Sequence, residues 1–149
     1  MEYISKIENI KNHHLIFKMP IKNQNSKYLY YYKLLYSDTT IHLKYLLFQL
    51  QFSTSQQHIY GSKVEKHDPM FEKVKALEEL ILLSINQSIQ KQPKYCLHNE
   101  IINKDIFNIN TQNNHQPLYL KISGIWEDNM NIGLVYKLYY TNTCLQIGP

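Results

Sequence analysis

Arginine is missing from this chain, although 16 of its 149 residues are basic. All 16 are lysines, and an AT-rich coding sequence would account for that bias as well as for the many Asn, Ile and Tyr residues. Sequence-specific readers of duplex DNA most often grip guanine with the planar guanidinium fork, which the mobile point charge of lysine replaces imperfectly. Base-specific reading of duplex DNA is therefore disfavoured. The net charge of +4 and the pI of about 8.9 still permit a polyanion as partner.

Long apolar runs and a signal-like N-terminus are also lacking. No stretch approaches the roughly 20 apolar residues that span a bilayer. The first ten residues include Glu2, Lys6 and Glu8, where a signal peptide would be apolar. We therefore expect an intracellular protein that is neither secreted nor bound to a membrane. Without a secretory signal, Cys96 and Cys144 are expected to be reduced thiols rather than a disulfide.

Motifs for nucleotide binding, metal binding and catalysis are absent from the sequence. The four glycines form neither a Walker A loop nor a dinucleotide-binding fingerprint. The seven histidines never reach a zinc-ligand spacing, and Cys96 with His98 would need two further ligands. No serine lies in a nucleophile elbow. We expect a protein without cofactor, metal or catalytic residues, while an enzyme whose catalytic residues are scattered along the chain stays open.

The apolar pattern predicts a single domain, residues 1–149, that is mainly β with one central helix. Short runs of aromatic, leucine and β-branched residues predict three strands, with a tight connection at Ser37–Asp38. These strands are Leu15–Met19, Lys27–Tyr36 and Thr40–Phe52. In the third, the apolar positions change parity after Tyr45, which a β-bulge or a strand passing between two faces would produce. The pattern favours an OB-like antiparallel barrel or curled sheet of the α+β class.

The central helix is predicted to begin at Asp68–Pro69, where Asp caps free amides and Pro fits the first turn. An apolar stripe with steps of three and four residues follows and ends near Gln90, which predicts a face that packs on the core. The stripe consists of Phe71, Val74, Leu77, Ile81 and Ile85. Weaker strands are expected around Tyr95–Leu97 and Ile101–Ile109.

The strongest β pattern, Pro117–Tyr140, predicts a hairpin that turns at residues 127–131. One register gives an apolar core face, with the pairs Trp126–Ile132, Leu120–Leu138 and Ile122–Tyr136. On the other face the same register places Lys121 opposite Lys137 and Tyr119 opposite Tyr139. Like charges that face each other cost a few tenths of a kcal/mol to about 1 kcal/mol. A bound anion would relieve this cost.

The segment Leu118–Leu138 resembles the closing hairpin of single-stranded DNA-binding proteins from large eukaryotic DNA viruses and related mobile elements. There, too, a Trp (here Trp126) precedes an acidic turn, and a Gly-x-x-x-Lys strand (Gly133 to Lys137) follows. The preceding strands and the Asp/Pro-started helix with its acidic pair Glu78–Glu79 are similar in outline. The resemblance implies an OB-like barrel, a role in replication or recombination, no catalysis, and a location in the host nucleus or at a viral replication site. The chain departs from the larger members in its lack of arginine and its short length.

Tyrosines and lysines also alternate in residues 27–33 and at Lys44–Tyr45. Tyrosine on a solvent-facing strand offers a stacking surface worth about 1 to 3 kcal/mol per unpaired base, and lysines neutralise phosphates. The preference of tyrosine for strands would produce such a cluster as well. We expect binding of single-stranded nucleic acid, preferably DNA, without sequence preference. The expected contacts are stacking by Tyr119, Tyr139, Tyr30 and Tyr32 and phosphate pairing by Lys121, Lys137, Lys33 and Lys44.

The alternative interpretation is a small viral structural or assembly protein that uses the same face as a protein interface, since tyrosine is enriched at such interfaces as well. A homo-oligomer or a viral protein partner is compatible with either interpretation. Affinity for oligo-dT that falls steeply with salt distinguishes them, because only the first interpretation requires it.

Overall fold

The structure, a computed structural model, describes residues 2–22, 28–52, 64–103 and 117–140. These residues form a mixed α+β fold, a strongly curled half-barrel sheet with helices, and the predicted fold class is confirmed. Two 3-10 turns, Ile7–Asn9 and Asn12–His14, precede the first strand. The strands are β1 (Leu15–Phe17), β2 (Ile21–Lys22), β3 (Tyr30–Ser37), β4 (His42–Leu43), β5 (Leu46–Leu50), β6 (Gln92–Lys94), β7 (Leu118–Glu127) and β8 (Asn131–Tyr140). The helices are α1 (Pro69–Ile89) and α2 (Cys96–Asn103).

Strand β7 lies at the centre of the sheet. Along one edge of β7, strand β8 pairs antiparallel over the whole length of the hairpin. The other edge of β7 pairs with two strands. There β3 pairs with residues 124–127 and β5 pairs with residues 118–122. Beyond β7, β3 continues to pair with β1, β2 and β4, while β6 pairs parallel with the start of β8. Two strands that divide one edge of β7 between them belong to a sheet that curls rather than one that stays flat.

Helix α1 begins and ends where the sequence predicts. The Asp68 carboxylate accepts a hydrogen bond from the Met70 N–H (2.9 Å), and Gln90 ends the helix in the left-handed conformation with φ of 60°. The five predicted stripe residues are all buried, and they share one hydrophobic core with the sheet. Within the described residues, neither helix is long and apolar enough to cross a membrane.

Of the two weaker strands predicted after α1, the one around Tyr95–Leu97 is wrong, and the start of the one at Ile101–Ile109 is helical. Gln92–Lys94 form the short strand β6, and Cys96–Asn103 form α2 instead of strands; residues 104–109 lie outside the described residues. The buried Glu78 of α1 explains the difference, because its two carboxylate oxygens accept hydrogen bonds from the N–H groups of Leu97 (2.9 Å) and His98 (3.0 Å). A carboxylate supplied by another helix thus caps the N-terminus of α2.

The predicted hairpin is confirmed, and its register follows the prediction over half of its length. The pairs Tyr119–Tyr139, Leu120–Leu138, Lys121–Lys137 and Ile122–Tyr136 are all present. Leu120 and Ile122 are fully buried, and Leu138 is partly buried against the core. A β-bulge at Ser123 then shifts the register by one residue, so that Trp126 lies opposite Gly133 and not opposite Ile132. This shift carries Trp126 to the face opposite to the predicted one.

The predicted strand Thr40–Phe52 is two strands. β4 pairs with the end of β3, and after a bend at Lys44–Tyr45 the chain continues as β5 on the edge of β7. The change of parity in the sequence marks this bend. The tight connection at Ser37–Asp38 is confirmed, because an Asp38 carboxylate oxygen accepts hydrogen bonds from the N–H groups of Thr40 and Ile41, both at 2.8 Å.

Candidate functional site

The sheet has two faces, and only one of them is covered by α1 and α2. Strand side chains that join the hydrophobic core, such as Leu34, Leu120 and Ile125, define the inner face. The alternate strand positions project from the opposite side, which we call the outer face. On the central hairpin this outer face carries Tyr119, Lys121, Gly124, Trp126, Gly133, Val135, Lys137 and Tyr139.

Four of the eight predicted site residues come together on the outer face of the hairpin. The rings of Tyr119 and Tyr139 stack across the two strands, with centroids 5.8 Å apart and an interplanar angle of 23°. Both tyrosines are half-buried, so each keeps solvent-exposed surface. Lys121 and Lys137 form the neighbouring cross-strand pair, and the Lys137 Nζ lies 5.9 Å from the Tyr139 ring centroid. We call these residues the Tyr/Lys patch.

Tyr45 belongs beside the Tyr/Lys patch, although it was not among the predicted site residues. The Lys121 Nζ lies over its ring, 4.2 Å from the centroid, a cation–π contact that partly offsets the repulsion from Lys137. Burial raises the pKa of the Tyr45 hydroxyl, and the nearby Glu2 carboxylate raises it further. Lys44, which was predicted, is exposed in the bend before β5.

Tyr30 and Tyr32 were predicted on the binding face and lie on the other face of the sheet. β3 pairs Tyr32 with Ile125, and Tyr32 packs against the hydrophobic core. Its hydroxyl donates a hydrogen bond to the Glu127 carboxylate (2.5 Å). Burial is the main cause that raises the pKa of the Tyr32 hydroxyl well above its usual value, and the hydrogen bond to the Glu127 carboxylate raises it further. Tyr30 has the same parity and pairs with Glu127, so strand alternation removes both tyrosines from the Tyr/Lys patch.

Lys33 lies on the outer face as predicted, but at a different position from the Tyr/Lys patch. It pairs with Gly124, on the far side of the bulge from Lys121. The Lys18 N–H donates a hydrogen bond to the Lys33 carbonyl (2.9 Å), so the two lysines are cross-strand neighbours just beyond the end of β1. Lys18 was missed because the sequence pattern does not show which strand pairs with β1.

The outer face also holds an aromatic group that the sequence did not predict. Trp126 is only 7% exposed, and it stacks with Tyr28 at a centroid distance of 4.7 Å and an angle of 25°. Tyr31 lies opposite Trp126 on β3, and its hydroxyl donates a hydrogen bond to the Ser123 carbonyl (3.0 Å) in the bulge. The bulge therefore creates this group, since the regular register would turn Trp126 towards the core.

Charge is distributed unevenly between the two faces. Among the outward-facing strand positions that the structure describes, none carries a carboxylate and four carry lysine, while a fifth lysine follows the end of β1 as the cross-strand neighbour of Lys33. These lysines are Lys18, Lys33, Lys94, Lys121 and Lys137. Burial raises the pKa of the Tyr139 hydroxyl, and the charge of the Glu2 carboxylate in the N-terminal segment raises it further. The outer face consequently combines tyrosine rings with positive charge.

The inner side holds the buried carboxylates, and these stabilise the fold. Glu127 accepts the Tyr32 hydroxyl and forms an ion pair with Lys91, whose ammonium group also donates to the Asp128 carbonyl (2.7 Å). Glu78 caps α2 and contacts His98 Nδ1 at 2.7 Å, while burial raises the pKa of its carboxyl group. In residues 2–22, 28–52, 64–103 and 117–140, no group of three His, Cys, Asp or Glu side chains is placed to hold a metal ion.

No protein-family model matches the chain, and neither a curated protein nor a solved structure is significantly similar to it. The resemblance of the hairpin to viral single-stranded DNA-binding proteins therefore stays a prediction. The chemistry of the outer face is the basis for assigning a function.

Proposed function

We propose that the protein binds single-stranded DNA without sequence preference, through the Tyr/Lys patch of its outer face, and that it catalyses no reaction. One observation carries the proposal. The stacked pair Tyr119–Tyr139 lies beside Lys121 and Lys137, on a face whose described strand positions carry lysine and no carboxylate. Rings that stack with bases and lysines that neutralise phosphates are the two elements of sequence-tolerant single-strand binding.

The arrangement favours single strands over duplexes. An unpaired base can lie against a tyrosine ring with a gain of about 1 to 3 kcal/mol, whereas bases in a duplex are already stacked on their neighbours. The cross-strand contact of Lys121 and Lys137 is unfavourable in the free protein, and a phosphate between them relieves it. None of the three site residues that the sequence placed on β3 belongs to this patch, because Tyr30 and Tyr32 face the core and Lys33 lies beyond the bulge.

The lysines are tested by the salt dependence of binding. Fluorescence anisotropy with a labelled oligo-dT gives the affinity at several salt concentrations for wild type and for Lys121→Gln combined with Lys137→Gln. We expect the slope of log affinity against log salt to become shallower by about 1.4, since each lost single-strand phosphate contact removes about 0.7. Lys66→Gln combined with Lys75→Gln is the matched control, because both lysines are exposed on or before α1, away from the outer face.

The tyrosines are tested separately. Tyr119→Ala combined with Tyr139→Ala is expected to weaken binding by about 1 to 3 kcal/mol per stacked base at every salt concentration, with little change of slope. Duplex DNA of the same length should bind wild type more weakly than oligo-dT. If both double variants bind as wild type does, or if duplex and single strand bind equally well, the Tyr/Lys patch is not the binding site.

A protein interface is the second candidate function, and one observation favours it. At the β1–β2 end of the sheet, three apolar side chains are exposed: Ile16 at 46%, Met19 at 85% and Ile21 at 63%. Such a patch is typical of a surface that contacts another protein, as in a viral assembly component. Size-exclusion chromatography with light scattering tests it, since Ile16→Ser with Ile21→Ser should dissociate an oligomer that forms there.

On the leading proposal, the protein is an accessory factor of replication or recombination. Its place of action would be where single strands are exposed, the host nucleus or a viral replication site if the source is viral. Fluorescence microscopy of a tagged chain in cells that replicate viral DNA tests this location. A distribution that ignores sites of DNA synthesis would contradict it.

A further inference from the structure

The aromatic group beyond the bulge is built in layers on the backbone of the sheet. Trp126 covers Gly133, where an added Cβ would lie only 2.3 Å from the Trp126 Cζ2 atom. Tyr28 stacks on Trp126 from the other side, with ring planes 25° apart. Because Gly133 has no side chain, the indole lies against the strand, and the half-buried Tyr28 ring forms the outer layer.

Tyr31 is fixed next to this stack in the same way. Its ring covers Gly124, where an added Cβ would lie 2.5 Å from the Tyr31 Cε1 atom. Its hydroxyl is held by the Ser123 carbonyl that the bulge presents. A tyrosine whose ring and hydroxyl are both positioned loses little conformational freedom when a base stacks on it, so the ring is preorganised for such a contact.

Lysines flank the aromatic group on two sides. Lys33 pairs with Gly124 and has Lys18 as its cross-strand neighbour, while Lys94 of β6 pairs with Gly133 on the other side. Lys18 and Lys94 are exposed, and Lys33 is half-buried. The combination found in the Tyr/Lys patch, tyrosine rings between lysines, is therefore repeated at the other end of β7.

We propose that Tyr28 and Tyr31 form a second base-stacking site for the same single strand, with Lys33, Lys18 and Lys94 as its phosphate contacts. The inference rests on the proposed function and extends it by naming the path of the ligand. Seven residue steps along β7 separate Tyr119 from Trp126, a distance of about 23 Å at 3.3 Å per residue. A stacked single strand covers this distance with about seven nucleotides at 3.4 Å each, within the range that compact single-strand-binding barrels occupy.

Trp126 provides a probe of this second site that is independent of the first. It is the only tryptophan in the chain, and Tyr28 lies on its ring. We expect oligo-dT of about 12 nucleotides to change the Trp126 emission as it binds to wild type. The emission change should persist at saturation in Tyr119→Ala with Tyr139→Ala, where only the affinity falls.

The tyrosine of the outer layer is tested by a pair of substitutions. Tyr28→Leu removes the ring but keeps an apolar cover on Trp126, and it should weaken binding of the 12-mer by about 5- to 150-fold. Tyr28→Phe keeps the ring and should bind as wild type does. Circular dichroism checks that both variants are folded. The Trp126 emission test is made on the wild type, so it does not depend on the folding of any variant.

The results separate this inference from the proposed function. Loss of affinity in the Tyr119/Tyr139 variant, together with wild-type affinity in Tyr28→Leu and an unchanged Trp126 emission in wild type, would overturn the second site and leave the first in place. No binding of the 12-mer to wild type in the anisotropy titration would overturn both. Weakening by Tyr28→Leu, rescue by Tyr28→Phe and a changed emission in wild type would establish the second site.

Discussion

Glu127→Gln should destabilise the protein because it breaks a largely buried ion pair. The Glu127 side chain is 8% exposed and that of its partner Lys91 is 23% exposed. Removing one partner of a fully buried pair costs about 3 to 5 kcal/mol, but Lys91 keeps access to water and can be partly rehydrated. Glutamine also still accepts the hydrogen bond from the Tyr32 hydroxyl. We therefore expect a loss of about 2 kcal/mol in the free energy of unfolding, and a melting temperature lower by about 4 to 8 °C.

Urea denaturation followed by circular dichroism measures this loss, and the chain supplies a matched control. Glu8 pairs with Lys73 at 3.3 Å, yet both side chains are about half exposed, at 54% and 48%. Glu8→Gln should leave the midpoint of unfolding unchanged, because exposed ion pairs are screened by water and salt. Equal midpoints for Glu127→Gln, Glu8→Gln and wild type would refute the reasoning that burial makes the Glu127 pair important for the end of β7.

Three further predictions concern the core, the aromatic group and the buried carboxylate. Leu77→Ala, in the middle of the α1 stripe, should cost about 2 to 5 kcal/mol in a urea titration, and an unchanged midpoint would mean that the stripe does not support the core. Gly133→Ala should lower the melting temperature and alter the Trp126 emission of the free protein, because the new Cβ occupies the position of the indole; an unaltered spectrum would contradict this packing. Burial raises the pKa of the Glu78 carboxyl group in the folded protein above its value in the unfolded chain. The folded state therefore binds more protons, and the wild type loses stability as the pH rises from about 4 towards the raised pKa. The destabilisation by Glu78→Gln relative to wild type should therefore be smaller near pH 7 than near pH 4, and the opposite trend in urea titrations would exclude a raised pKa.

The hairpin illustrates how far alternation in a sequence determines structure. From Leu118 to Ile122 apolar and polar side chains alternate regularly, and the four predicted pairs of this half are confirmed. After Ser123 the sequence continues with Gly124, Ile125 and Trp126. Ile125 and Trp126 are both apolar, but adjacent strand residues point to opposite faces, so only one of them can face the core. Because of the bulge, the Ile125 side chain lies fully buried in the core and the Trp126 side chain lies on the outer face. Pattern alone does not choose between two adjacent apolar residues.

The tyrosines of β3 show a related limit. Residues 30–32 are all tyrosine, so either parity would place tyrosines on the outer face. Which tyrosines face outwards depends on Leu34 and Tyr36 further along the strand, which are buried in the core. Tyr30 and Tyr32 have the same parity and therefore lie on the inner face. The outer face then receives Tyr31 and Lys33. Half of the predicted site residues therefore lie together in the Tyr/Lys patch, and the run of identical residues could not show which face Tyr30 and Tyr32 occupy.

Helix α2 was missed for a different reason. Its N-terminus depends on Glu78, which lies 19 residues before Leu97 in the sequence. A window of local residues contains the aromatic and β-branched side chains of this region but not the carboxylate that caps it. Helix α1, by contrast, has its capping residue Asp68 and its proline directly before the apolar stripe, so local information was sufficient.

Photo-crosslinking tests most directly whether the outer face binds single-stranded DNA. An oligo-dT is irradiated with the wild-type protein, and the crosslinked peptides are identified by mass spectrometry. We predict crosslinks at Tyr119 and Tyr139 of the Tyr/Lys patch, competed by unlabelled oligo-dT and reduced by salt. Crosslinks confined to peptides of α1, or none in a mixture that contains the oligonucleotide in excess, would contradict the account.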